Sequence, residues 1–234
     1  MIVAAPGSSA LAAKAATSEI PIVFSVGGDP VQMGLVASLN RPGGTTTGVT
    51  SLNVELGPKR VELMRELLPS QTVMALLVNP TNPNARVMEE TTLSATRALG
   101  LKLYVVRASN ERELASIYDE VKRLRTGMVI GTDPFFIGRG SQIGELAARH
   151  AIPTIFQNRE FVTAGGLASY SDSIGGRYRQ IGVYVGRILK GEKPEGLPVQ
   201  QPIKFELIIN LQAAKALGLT VPTALLVRAD EVIE

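Results

Sequence analysis

At 234 residues, with 45% apolar and 19% charged side chains, the chain has the composition of a globular protein able to bury a substantial core, which excludes the disordered and fibrous classes. Its net charge of +3 comes from 24 basic and 21 acidic residues spread along the sequence without a basic block, which argues against a nucleic-acid partner. Cysteine is absent, so disulfides, thiolate metal sites and thiol nucleophiles are excluded, and no stretch nears the roughly 20 unbroken apolar residues of a membrane helix.

The apolar run 2–5 reads as a strand, Pro6-Gly7-Ser8-Ser9 as a turn, and the Ala-rich run 10–17 as a helix that Ser8 or Ser9 can cap. This opening lacks a basic segment and breaks at Pro6-Gly7, so it does not read as a signal peptide. A strand over 20–26 ends at Gly27-Gly28-Asp29-Pro30 and leads into a predicted helix over 31–39. After Arg41-Pro42-Gly43-Gly44 come a Thr-rich, edge-like strand over 45–50 and an amphipathic helix over 58–68, with Val61, Met64, Leu67 and Leu68 on one face. Pro69-Ser70 marks a boundary: residues 1–70 with 172–234 are expected to form one lobe, and residues 71–171 the other.

From Thr72 the alternation becomes regular, with strands at 73–78, 102–106, 127–130, 153–156 and 167–170 and helices at 85–99, 111–124 and 141–150. The strand 73–78 is apolar at nearly every position, as a strand covered on both faces must be. Short βα connections favour right-handed crossovers, so this section is expected to be a parallel sheet between helices. Residues 173–189 carry Ile174, Tyr178, Ile181, Val185 and Ile188 at helical spacing and read as a packing helix. A Gly, Pro and Lys connector over 191–198, a strand over 203–209 and a short helix over 211–217 complete the chain.

In open parallel sheets ligands bind beyond the carboxyl ends of the strands. That rule nominates residues 6–9, 27–30, 79–84, 132–136, 157–161 and 170–173. Only 5% of the chain is aromatic, yet Phe135, Phe136, Phe161 and Tyr170 fall in or beside these tips, together with Asp29, Asp133, Glu160 and Asp172. Carboxylates hold an ammonium, rings sandwich a flat side chain, and helix N-termini hold a carboxylate, a combination that suits a zwitterion. The candidate ligand-binding residues are Ser8, Ser9, Gly28, Asp29, Asn79, Asn84, Asp133, Phe135, Glu160, Tyr170 and Asp172. Within this set Asp133 or Asp172 is expected to meet the ammonium, Ser8 and Ser9 the carboxylate, and Phe135 or Tyr170 to stack. Against this stands the simpler reading that Asp29-Pro30 and Asp133-Pro134 are caps and turn formers.

Catalytic, cofactor and metal readings find no support. The single histidine, His150, stands at a helix end, and Gly7-Ser8-Ser9-Ala10 lacks a nucleophile elbow. Gly138-Arg139-Gly140-Ser141-Gln142-Ile143-Gly144 does not match a dinucleotide loop, and metal-ligand spacing is missing, so no enzyme activity, cofactor or metal is expected.

The segments GGDPVQMGLVASLNRPGG, KRVELMRELLP, VNPTNPNA, TDPFF, ARHAIPTIF, REFVTAGGLASYSDS and KFELIINLQAAKALGLTVP, in this order, closely resemble the substrate-binding proteins of ABC transporters. The resemblance covers essentially the whole chain and points to the subgroup related to tryptophan- and tyrosine-binding proteins. It implies an α/β, type I periplasmic-binding-protein-like fold of two Rossmann-like lobes with parallel sheets, a hinge of crossing strands, and a small amino-acid-like, aromatic ligand taken between the lobes. It also implies an ABC permease of the inner membrane as partner and a periplasmic parent protein. Family members carry an export signal and about two further βα units before the segment matching residues 2–5, so the first lobe is expected to be N-terminally truncated and homodimerisation to follow from its open sheet edge. The alternative is a cytoplasmic small-molecule sensor or regulator domain of the same fold, against which the lack of a helix-turn-helix segment speaks; an enzyme on a Rossmann-like sheet is the remotest reading.

Overall fold

The computed structural model describes residues 1–202 and 204–234. The first part of the chain forms β1 (Ile2–Ala4), α1 (Gly7–Ala16), β2 (Ile22–Val26), β3 (Thr46–Thr50), α2 (Gly57–Leu67), β4 (Val73–Val78), α3 (Ala85–Ala98), β5 (Lys102–Arg107), α4 (Glu111–Leu124) and β6 (Gly127–Ile130). There follow α5 (Pro134–Ile137), α6 (Gly140–His150), β7 (Thr154–Phe156), α7 (Arg159–Thr163), β8 (Ala168–Asp172), α8 (Ile174–Leu189), β9 (Phe205–Asn210), α9 (Leu211–Ala216), α10 (Thr223–Arg228) and β10 (Glu231–Ile233). Two compact units result, Met1–Asn53 with Asp172–Phe205 and Val54–Ser171 with Glu206–Glu234.

In the first unit the strands lie in the order β1-β2-β3 and pair in parallel. Successive side chains of a strand face opposite sides of a sheet, and β2 uses both. Ile22, Phe24 and Val26 join a core with Ala10, Leu35 and Val36, whereas Val23 joins Val49, Ile181, Tyr184 and Leu197 under α8. Gly48 of β3 lies opposite Phe24, where a Cβ would meet the Phe24 carbonyl oxygen at 2.2 Å, so only glycine lets the two strands close. The outer side of β3 is not bare, because Thr50 N–H donates to Gln200 O (3.0 Å) and Gln200 N–H to Gly48 O (3.0 Å).

The predicted helix over 31–39 is instead a single turn followed by bends. Met33 N–H reaches Asp29 O, but Gly34 then takes φ +72° and Leu35 N–H turns back to Pro30 O, a left-handed stop that drops Leu35 and Val36 into the core.

In the second unit seven strands lie in the order β10-β9-β8-β7-β6-β4-β5, and the pairings with described register are parallel. Met74, Leu76 and Val78 of β4 face a core with α2, α3 and the residues Ala214 and Leu225. Ala75 and Leu77 face the opposite core, closed by Leu114, Ile117, Tyr118 and Val121 of α4 and by α6. A strand with apolar contacts on both sides explains the unbroken VMALLV run.

The expected break between residues 171 and 172 coincides with a break between the units, whereas the one expected at 70 falls between Asn53 and Val54, and a further one lies between Phe205 and Glu206. Met64 and Leu67 of α2 pack with Met74, Leu76 and Val129, and β9 extends the seven-stranded sheet beside β8, so α2 and the tail from Glu206 onward go with the second unit. Ile203, the first residue of the expected strand 203–209, lies outside the described residues; the strand runs over Phe205–Asn210. The short α5, α7 and α10 and the strand β10 were not anticipated.

The chain leaves β4 for β5 on one side and returns to β6 on the other, so the order reverses between β4 and β6. Leu77→Ala, deep in the second unit's core, is expected to cost about 2–5 kcal/mol in urea unfolding, whereas Val227→Ala, at an 81% exposed position, should stay within about 0.5 kcal/mol.

Candidate functional site

At the point where the strand order reverses, the tips of β4 and β6 are joined by side chains. Asn79, directly after β4, donates its Nδ2 to Asp133 Oδ1 (3.1 Å) and accepts on Oδ1 from Thr81 N–H (3.0 Å) and Thr81 Oγ1–H (2.8 Å). Asn82 donates its Nδ2 to Asp133 Oδ2 (2.7 Å) and to Thr132 O (3.2 Å). Asp133 is also the N-cap of α5, accepting from Phe135 N–H at 2.8 Å. Its carboxylate is 2% exposed and held by three neutral N–H donors, and no ion pair among the described residues includes it. Buried polar groups are retained where hydrogen bonds replace their water, and these three donors do so for Asp133.

A second group of bonds joins the neighbouring tips of β6, β7 and β8. Thr132 donates its hydroxyl to Gln157 Oε1 (2.8 Å) just past β7, and it accepts from Arg60 Nη1 at a long 3.5 Å. Arg60, on α2 and 1% exposed, donates its Nε to Tyr170 O on β8 (3.0 Å). Beside Gln157, Asn158 is 5% exposed, and its Oδ1 finds no donor among the described residues, an acceptor left for a water or a ligand N–H.

The predicted site residues separate into those the structure brings together and those it does not. Asn79 and Asp133 meet, and Phe135 is tied to Asp133 through its N–H. One face of the Phe135 ring is covered by the Arg139 guanidinium, 4.2 Å from the ring centroid. Tyr170, expected at the end of its strand, is the middle residue of β8 and half-buried against the core. Asn84 stands at the N-cap of α3, but its side chain makes no cap bond there; its N–H donates to Asn82 Oδ1 (2.8 Å), so Asn82 organises the elbow instead. Glu160 is exposed on the first turn of α7.

In the first unit, Asp172 is 4% exposed and already partnered, accepting from Asn53 Nδ2 (2.9 Å) and lying 3.2 Å from Arg177 Nε. Asp29 is a turn former: its Oδ1 accepts from Val31 N–H (2.8 Å). Gly28 is buried, with its carbonyl taken by the Thr50 hydroxyl (2.9 Å). Ser8 and Ser9 are exposed on the first turn of α1, and the helix has no side-chain cap bond, so the capping role expected of them is not filled.

Asn82, Thr132 and Gln157 lie within the nominated tips without having been singled out, and sequence reasoning passed over Asn53, Arg177 and Arg60. For Arg60 a signal existed: with Met64 and Leu67 it falls at 3.6-residue spacing on the apolar stripe of α2, where a cation is out of place. His150 lies with its Nδ1 3.4 Å from Asp119 Oδ1 at the C-terminal end of α6, where the chain enters β7 rather than where it leaves it.

A parallel sheet wrapped by helices, with polar residues gathered at the carboxyl ends around a reversal of strand order, defines an α/β ligand-binding protein of the type I periplasmic-binding-protein class. The chain belongs to the ABC transporter substrate binding protein family, whose pattern matches residues 1–233; these are binding proteins and not enzymes. It is 26% identical over 224 residues to a tyrosine-binding protein of Clostridioides difficile (strain R20291), covering 94% of this chain and 63% of that protein's length. Among solved structures, a conserved domain protein from Vibrio cholerae is 30% identical, with TM-score 0.87 over 99% of this chain and 78% of its own. An ABC domain from Streptococcus pneumonia in complex with L-Trp is 24% identical and shares the fold with TM-score 0.88, over 100% of this chain and 80% of its own. No helix among the described residues is long and apolar enough to cross a membrane.

Removing a donor to a buried carboxylate costs about 1.5–3 kcal/mol. Asn82→Ala is therefore expected to lower unfolding free energy by about that amount, and Glu160→Gln to leave it within about 0.5 kcal/mol, both read from urea midpoints.

Proposed function

We propose that this chain is the ligand-binding component of an ABC importer and that it takes a small amino-acid-like, aromatic ligand at the β4–β6 reversal of the second unit. The observation that carries this reading is the Asp133 carboxylate, buried without a cation and aimed by Asn79 and Asn82 at the place where open α/β sheets bind ligands. Of the two candidates for the ammonium partner, Asp133 is the one proposed. Asp172 lies 3.2 Å from Arg177 Nε, whereas no ion pair among the described residues includes Asp133, and a ligand ammonium is its proposed partner. Tyr170, half-buried on β8, is the proposed ring contact; Phe135 has given one face to Arg139. Ser8 and Ser9 are exposed on the N-terminal turn of α1 in the first unit. The tyrosine-binding relative supports the ligand class. The proposed partner is a membrane permease, and the proposed setting of the parent protein is the periplasm.

L-tryptophan or L-tyrosine should raise the melting temperature of the chain, and indole-3-propionate, which lacks the ammonium, should not. Asp133→Asn keeps the shape and the cap but removes the charge, and it should weaken L-tryptophan binding at least tenfold in calorimetry, since charge-assisted hydrogen bonds are worth about 1.5–3 kcal/mol. No thermal shift with any amino acid, or unchanged affinity in Asp133→Asn, would contradict the proposal.

The same proposal includes self-association through β1, which among the described residues pairs only with β2 and leaves Val3 54% exposed. Light scattering should then give a dimer mass that falls to the monomer value in Val3→Lys; a monomer at all concentrations would overturn this part.

A further inference from the structure

Arg60 is among the largest fully buried side chains of the protein, and it stands on an apolar helix stripe where methionine or leucine would pack without any charge to compensate. Burying a guanidinium costs several kcal/mol unless hydrogen bonds replace its water, so what it bonds to indicates what it is for. Two of its bonds run to the sheet: Nε to Tyr170 O at 3.0 Å on β8, and Nη1 toward Thr132 Oγ1 at 3.5 Å shortly after β6. Thr132 passes the contact on to Gln157 at 2.8 Å, after β7. In the sheet these are three successive strands, β8-β7-β6. One cation on α2 therefore contacts β8 directly and the residue after β6 at longer range, and reaches the β7 tip only through Thr132; the chain positions that follow or carry these bonds are Asp133, Gln157 and Tyr170.

We propose that Arg60 is a positioning residue for ligand binding: it touches no ligand itself, but sets the spacing of Thr132-Asp133, Gln157 and Tyr170 so that the ammonium partner and the ring contact are presented together. The inference rests on the reading of the ligand site given above. The planar guanidinium supplies fixed, divergent N–H donors to two strands at once, which a lysine ammonium on a flexible stem does not reproduce. The hydroxyl of Thr132 is the relay, since it both accepts from Arg60 and donates to Gln157.

The test is a double-mutant cycle in L-tryptophan affinity on the full chain, using Arg60→Met, Thr132→Val and the pair, with urea unfolding measured on each. Thr132→Val leaves Arg60 in place and is nearly isosteric, so it reports on the relay even if Arg60→Met does not fold. The expected result is that each single variant weakens L-tryptophan binding by about tenfold and that the pair is no weaker than the more affected single variant, because both cut one connection. Arg60→Lys should restore stability toward that of the native chain without restoring affinity. Losses that multiply in the pair, native affinity in Thr132→Val, or affinity recovered by Arg60→Lys in step with stability would overturn the proposal. If the native chain itself binds no L-tryptophan, the ligand reading fails first, and that failure is read from the native protein before any variant is compared.

Discussion

A buried, cation-free carboxylate is expensive, and the second unit is arranged around satisfying one. Asp133 takes hydrogen bonds from the tip of β4, from the elbow that starts α3 and from the first turn of α5, so a single side chain fastens three connections at the one place where the strand order reverses. Neutral donors stabilise the charge without cancelling it. This distinguishes Asp133 from Asp172, whose charge is matched by Arg177 within the first unit. The same residue type at the end of a strand thus serves as an open electrostatic feature in one unit and a closed structural one in the other.

The energetic support for that corner comes from below. β4 sends Met74, Leu76 and Val78 into one core and Ala75 and Leu77 into the other, so both faces of the central strand are anchored by dry packing and its tip has little freedom. Arg60 adds a polar tie among β6, β7 and β8 where the apolar layer ends. The first unit has a smaller, three-stranded sheet, and its closeness depends on Gly48 admitting the Phe24 backbone.

Much of this architecture was legible in the sequence because local and tertiary signals agreed. The helix over 111–124 was delimited correctly, since Leu114, Ile117, Tyr118 and Val121 form a clean stripe and Asn110 accepts from Glu113 N–H at 3.0 Å as its cap. Glu113 in turn accepts from Ser109 N–H at 2.7 Å, which holds its carboxyl below the usual range. The segment 31–39 misled because its apolar residues suit a helix, while Gly34 in the left-handed region stops it after one turn. Asp29 proved to be the turn former that Asp-Pro sequences usually are, and Asp133 is a cap as well, although its burial and its asparagine partners give it a second significance that no local pattern announces. The membership of α2 in the second unit was hidden for a similar reason: Pro69 looks like a boundary, but Met64 and Leu67 find their partners on β4 and β6.

What was not legible is contact between tips distant in the chain. Asn79 and Asp133 are 54 residues apart, and Arg60 and Tyr170 are 110 apart; only the order of strands in the sheet brings each pair together. The central claim is that these tips form the ligand site, and side-chain and backbone amide resonances followed during titration with L-tryptophan test it most directly. The account predicts that the largest shifts fall on the Asn79 and Asn82 amide groups, on residues 132–135 and on Gln157; shifts confined to other surfaces, such as α10 or the exposed side of α4, would contradict it.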